Sequence, residues 1–156
     1  MYLSVVVPAY NEEKRIEQPL ERVVSYLRNH FDQWELIYSD DGSKDKTRTK
    51  LIKLQEMYPE LKVVGTEKNH GKGSAVRNGM LAASGDIVLF SDTDFSTPIE
   101  EIEKLLSTLQ KGYDIAIGSR GLSESNIEVH QAWAREMMGK MFNALLRSLL
   151  PIDFMD

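Results

Sequence analysis

Asp92 and Asp94 stand one residue apart in "LFSDTDFSTP", at the end of an apolar run and just before a helix-start pattern. Two carboxylates about 4 Å apart repel by roughly 4 kcal/mol at an effective dielectric of about 20. Full solvation, a shared proton in an acid/base pair, or a hard divalent cation would each relieve that repulsion. Mg²⁺ takes one or two carboxylates, keeps several waters and completes its shell with phosphate oxygens. A cation here would turn the repulsion into attraction and hold a diphosphate beside an otherwise acidic chain. A second acidic cluster, Asp40, Asp41 and Asp45 in "SDDGSKDKT", follows another β-like run. Taken alone, it reads equally well as a turn capping a helix, with Gly42 supplying backbone freedom. Neither cluster has the spacing of an EF-hand. In "NHGKGSAVRNG", Gly71, Lys72, Gly73 and Arg77 offer a small cationic, backbone-rich patch at a helix N-terminus. The segment satisfies neither GxxxxGK[ST] nor GxGxxG.

Something must bring these segments together, and the alternation of short β-rich runs with helical periodicity predicts what it is. Residues 3–7, 34–39, 61–65, 86–91 and 114–118 are brief and rich in Val and Ile, as buried strands of a parallel sheet should be. Between them, Leu20, Val23, Val24 and Leu27, then Leu51, Leu54 and Met57, then Val76, Met80 and Leu81, then Ile102, Leu105, Leu106 and Leu109 recur at helical spacing. The expected fold is therefore an α/β sandwich with a mostly parallel sheet flanked by helices and right-handed crossovers. Thr97, Pro98 and Glu100 read as an N-cap, a first helical residue and the third member of a capping box. Ligands of open α/β sheets bind at the carboxyl ends of the strands. Residues 8–12, 40–45 and 92–96 should all emerge there.

Composition narrows the function classes. The 156 residues suffice for one domain with a sizeable core. Nineteen basic against 24 acidic residues, a net charge of −5, argue against a general nucleic-acid binder. With no cysteine and three histidines lacking ligand spacing, metal chemistry has to use oxygen ligands. The chain shows neither a basic leader nor a run of 18 apolar residues, so a cytoplasmic location is expected, with peripheral attachment to a membrane face compatible. Residues 133–149 form an amphipathic helix rich in Met and Leu, expected to pack mainly on the domain rather than serve a membrane or a partner.

Taken as an ordered set, "SVVVPAYNEE", "SDDGSKDKT", "NHGKGSAVRNG", "SGDIVLFSDTDFSTP" and "IAIGSR" resemble the family 2 glycosyltransferases over nearly the whole chain. The nearest likeness is to the group that transfers glucose or mannose to dolichyl or other polyprenyl phosphates. That resemblance implies a GT-A fold and inverting transfer of a hexose from UDP-glucose or GDP-mannose, with Mg²⁺ or Mn²⁺. By the same resemblance, Pro8, Ala9, Tyr10 and Glu12 line the nucleotide pocket and Asp41 bonds the base or ribose. Lys72 lies near the diphosphate, Asp92 nearer the ribose and sugar, and Asp94 is the more direct metal ligand, the two aspartates forming the catalytic DxD. Ser96 stands where some relatives have a further metal-touching Gln. Arg120 and Arg135 match positions that hold an acceptor phosphate. The reading treats residues 1–156 as one catalytic domain, nucleotide-binding over 1–95 and acceptor-side over 96–156. The acceptor-side part looks shortened at its C-terminus, so that Asp156 is a weak candidate for a base. Transfer to a saccharide hydroxyl, a non-catalytic nucleotide-sugar-binding module and a nucleotidyltransferase remain alternatives.

Overall fold

The computed structural model describes residues 1–118 together with Met137, Met138 and Met141. Two compact units make up the chain, Met1–Ile102 and Glu103–Asp156.

The first unit alternates strand and helix: β1 (Leu3–Ala9), α1 (Glu17–His30), β2 (Trp34–Asp41), α2 (Thr47–Met57), β3 (Leu61–Thr66), α3 (Lys72–Leu81) and β4 (Ile87–Phe90). All strand pairs are parallel, in the order β3-β2-β1-β4. The chain moves outward from β1 through β2 to β3, then crosses back to place β4 on the other side of β1. Strand order therefore reverses between β1 and β4, where an open parallel sheet leaves a crevice beyond its carboxyl ends. β1 and β2 are buried along their whole length, as central strands covered on both faces must be.

Helix faces follow their sequence pattern only in part. α1 buries Leu20, Val23, Val24 and Leu27 as expected, and α2 buries Leu51 and Leu54 while Met57 is exposed. α3 departs further: its buried residues are Ala75 and Gly79, whereas Met80 and Leu81 face solvent. The reason is proximity. A Cβ on Gly79 would overlap Cγ1 of Val6, so α3 lies against β1 at a distance that only small residues allow. The expected capping box is not formed. Pro98 is extended (φ −55°, ψ 142°), the chain enters a 3₁₀ turn at Ile99–Glu101, and no side chain caps it. Glu100 pairs instead with Arg22 of α1 at 3.1 Å.

In the second unit, α4 (Ile102–Leu109) begins at the division and ends before Gly112, whose φ of 95° lets the chain reverse. Residues 114–118, expected as a fifth strand, are not one. Ile115 and Ile117 are 80% and 64% exposed, and no neighbouring strand accepts their backbone bonds among the described residues. Met137, Met138 and Met141 are helical but exposed, against the expectation of a packed face. Arg120, Arg135, Asp156 and the rest of that helix lie outside the described residues. Among the described residues, no helix is long and apolar enough to cross a membrane.

Candidate active site

Four loops leave the carboxyl ends of β1, β2, β3 and β4 and line one cleft of about 340 Å³. Pro8, Ala9, Tyr10, Glu12, Asp41, Lys72, Asp92 and Asp94, all singled out from the sequence, lie on its wall. Arg15, Asn69, Ala75 and Thr93 lie there too.

The Asp92–Asp94 loop shows why one spacer residue matters. Ser91 N–H makes the last backbone bond to β1, at Val6 O (3.0 Å), and the chain then turns, Phe95 N–H donating to Asp92 O (3.0 Å). Thr93 turns inward and its hydroxyl donates to Pro8 O (2.6 Å), while Phe95 is buried in a left-handed conformation (φ 45°). With Thr93 anchored inward at the tip of this turn, Asp92 and Asp94 on either side of it both line the cleft. Asp94 Oδ1 accepts the Ser96 amide at 3.0 Å. Burial pushes this carboxyl up, but the Ser96 amide and hydroxyl together with the charge of Arg15 outweigh it and hold Asp94 below the usual carboxylate range. It is thus ionised at neutral pH. Lys72 Nζ sits 2.6 Å from Asp92 Oδ1 and 5.5 Å from the centre of the Phe90 ring.

The adjacent aspartates at the end of β2 point to opposite sides. Asp40 turns inward, 1% exposed, with Ser43 N at 3.3 Å and Arg48 Nη1 at 3.9 Å. Asp41 reaches the cleft wall, where its carboxylate accepts the amides of His70 (3.0 Å) and Gly71 (2.7 Å) ahead of α3. Of the backbone-rich patch read from the sequence at Gly71, Lys72 and Gly73, the Gly71 amide is therefore taken by Asp41. Gly42 (φ 69°) permits this closeness, since a Cβ there would stand 2.6 Å from the Lys68 carbonyl carbon.

Residues 11–13 and 43–47 are stitched together. Asn11 N donates to Ser43 Oγ (2.9 Å), Glu12 N to Thr47 Oγ1 (2.7 Å) and Glu13 N to Asp45 Oδ2 (3.2 Å). In return, Lys44 N donates to Asn11 Oδ1 (2.9 Å) and Lys46 N to Glu13 Oε2 (2.8 Å). Asp45 also accepts Thr47 N (2.9 Å) and the Thr47 hydroxyl (2.5 Å) at the start of α2. Burial raises its carboxyl, but these bonds outweigh that and leave it lowered. Asp45→Ala is expected to cost about 1–2 kcal/mol, the worth of a lost helix cap. Because the folded value is the lower one, this stability is present above the unfolded pKa of about 3.9 and is lost as pH falls through the folded value. Melting curves of variant and parent should converge below about pH 4.

The donor set suits a hard divalent cation. Among the described residues, Glu12, Asp41, Asp92 and Asp94 share the cleft wall with two cations, Arg15 and Lys72, leaving two negative charges unmatched, the charge of one such ion. Lys72 already stands as a cation on Asp92. Among the described residues no three His, Cys, Asp or Glu side chains converge as a metal cage. The protein would thus supply two carboxylates, with water and phosphate oxygens completing the shell.

The family model of Glycosyl transferase family 2 matches residues 4–151. The chain belongs to that family. This family 2 glycosyltransferase is 36% identical over 159 residues to a dolichyl-phosphate beta-glucosyltransferase of Trichomonas vaginalis, covering 94% of this chain and 48% of that protein. It spans a little under half the length of the curated relatives it matches. Its fold is of the GT-A type. Glucosyl-3-phosphoglycerate synthase of Mycobacterium tuberculosis, solved with UDP, superposes with a TM-score of 0.60 at 27% identity, over 99% of this chain and 53% of that one. A mannosyltransferase of Pyrobaculum calidifontis, solved with GDP-Man and Mn²⁺, gives 0.53 at 30% identity, over 59% of this chain and 27% of that one.

Of the cleft residues missed in the sequence, Arg15 had a readable signal, lying three residues beyond Glu12. Thr93 was the unread middle of DxD. Asn69 and Ala75 had none: Asn69 is placed by a bond from its amide to Asp41 O (3.3 Å) and Ala75 by the approach of α3.

Proposed function

We propose that this chain is the donor-binding core of an inverting hexosyltransferase that moves a sugar from a nucleoside diphosphate to a polyprenyl monophosphate. The carrying observation is the convergence of Asp92, Asp94 and Lys72 with the β1 and β2 loops on one cleft bearing two unmatched negative charges. Pro8, Ala9 and Tyr10 offer a wall for the nucleoside, and Asp41 anchors the β3–α3 loop that carries Lys72 toward the diphosphate. Asp94 and Asp92 would hold Mg²⁺ or Mn²⁺, which supplies Lewis-acid neutralisation of the departing diphosphate. The reading of the acceptor rests on the dolichyl-phosphate relative and on the state of the cleft carboxylates. Each already has a partner: Arg15 for Glu12, two amides for Asp41, Lys72 for Asp92 and the Ser96 amide for Asp94. None stands poised as a strong base for a sugar hydroxyl, whereas a phosphate oxygen is already ionised near neutral pH and attacks without one. Arg120 and Arg135 are proposed to hold that phosphate, and a lipid acceptor puts the reaction at a membrane surface, with the protein peripheral.

Radiolabelled UDP-glucose and GDP-mannose, each incubated with the chain, a polyprenyl monophosphate in detergent, a competing oligosaccharide acceptor and Mn²⁺ or Mg²⁺, test the proposal. One donor should yield labelled lipid, dependent on the cation. Donor binding with neither transfer nor hydrolysis would identify a binding module instead. Labelled saccharide in place of lipid would overturn the acceptor.

A further inference from the structure

Arg15 is the cleft residue whose role neither the DxD nor the nucleotide wall explains. It lies just before α1 on the stitched β1 loop, its amide bonded to Glu12 O (3.0 Å). Its guanidinium Nη2 is 2.9 Å from Glu12 Oε2. An exposed pair at this spacing contributes at most a fraction of a kcal/mol in most proteins, and the Arg15 side chain is 69% exposed. Stability alone therefore gives little reason for it. Its position gives more. Among the described residues, Arg15 and Lys72 are the two cations lining the cleft, and Lys72 is engaged with Asp92. Beyond this one contact with Glu12, no side-chain hydrogen bond to the guanidinium is formed among the described residues, so the rest of its planar fork of donors faces outward for phosphate oxygens.

We propose that Arg15 is a binding residue for the donor's diphosphate, parked on Glu12 when the cleft is empty and transferring to phosphate oxygens when donor and cation enter. The inference rests on the nucleoside-diphosphate reading of the site. Two unmatched negative charges repel a diphosphate; a divalent cation held by Asp92 and Asp94 would bring the lining to neutrality and displace Lys72 from Asp92, so that Lys72 and Arg15 can exchange their carboxylate partners for the two phosphoryl groups. Glu12 then serves as the parking partner that keeps Arg15 on the wall rather than in solvent.

Calorimetric titration with UDP, GDP, UMP and GMP in the presence of Mn²⁺, on the parent chain, Arg15→Gln and Arg15→Lys, tests this. Binding of the preferred diphosphate should weaken about 10- to 100-fold in Arg15→Gln, the worth of a charge-assisted bond, and less in Arg15→Lys. Monophosphate affinity should change less than about twofold. Mn²⁺ binding without nucleotide, read by electron paramagnetic resonance, should be retained or tightened. Equal loss of mono- and diphosphate affinity would show a merely structural role and overturn the proposal, as would an unchanged diphosphate affinity. A parent chain that binds no nucleoside diphosphate under any cation would instead sink the donor reading, and this inference with it.

Discussion

Asp94→Asn should reduce cation-dependent donor binding on the order of 100-fold or more, and transfer by about 1,000-fold, while leaving the fold intact. The substitution isolates charge from geometry. An amide oxygen at the same place can still accept the Ser96 N–H that now bonds Asp94 Oδ1, so the turn before Ile99 survives and the melting temperature should move by only about 1–2 °C. What disappears is one of the two carboxylates that face the cleft side by side. A neutral amide is a much weaker partner for a hard divalent ion, and only Asp92, already engaged by Lys72 at 2.6 Å, would remain. The removed charge also lessens the repulsion between the cleft and a diphosphate, so residual donor binding without cation should rise slightly. Titration of donor with and without Mn²⁺ separates the two effects. Parent-like cation dependence in Asp94→Asn would show that the metal is held elsewhere.

Gly65→Ala should be the most destabilising single-methyl change in the first unit. Gly65 pairs with Asp40 in the parallel register of β2 and β3. A Cβ there would overlap the Asp40 carbonyl oxygen and stand 3.0 Å from its carbonyl carbon. Both atoms are backbone, so no rotamer change gives relief; the strands must separate. Overpacking of this kind costs about 3 kcal/mol, which in a unit of this size lowers Tm by roughly 10–20 °C. The damage reaches the cleft because Asp41 follows Asp40 directly and holds the amides of His70 and Gly71. Donor affinity should fall together with Tm. A variant melting within about 2 °C of the parent would mean that the strand pair adjusts without loss.

How much of this was legible in the sequence depended on how local the cause was. The runs that became β1 to β4 carried their own signal, and the rule that ligands meet parallel sheets at their carboxyl ends brought Pro8, Asp41 and Asp92 together correctly. Thr97 misled because its pattern is local while the outcome is not: Glu100 found Arg22, 78 residues away in sequence, before it could turn back on its own helix. Ile115 and Ile117 had the composition of a strand, but a strand needs a neighbour to accept its backbone bonds, and composition cannot supply one. The buried face of α3 was misread because hydrophobicity favours Met80 and Leu81, whereas contact distance to Val6 favours Gly79. Asp41's engagement with residues 29 and 30 positions later was invisible for the same reason.

The stitching of residues 11–13 to 43–47 makes the cleft floor preorganised. Thr47 is its hub, since its one hydroxyl oxygen accepts from Glu12 and donates to Asp45. It does not touch the cleft, yet it sets the height of Glu12 on the wall, so on the proposed donor reading nucleotide affinity can be tuned from a residue outside the cleft. A floor already in place also leaves little chain entropy to lose when a ligand arrives. Discrimination between one ligand and another would then fall to the side chains standing on that floor, which can be exchanged one at a time without redrawing the loops beneath them.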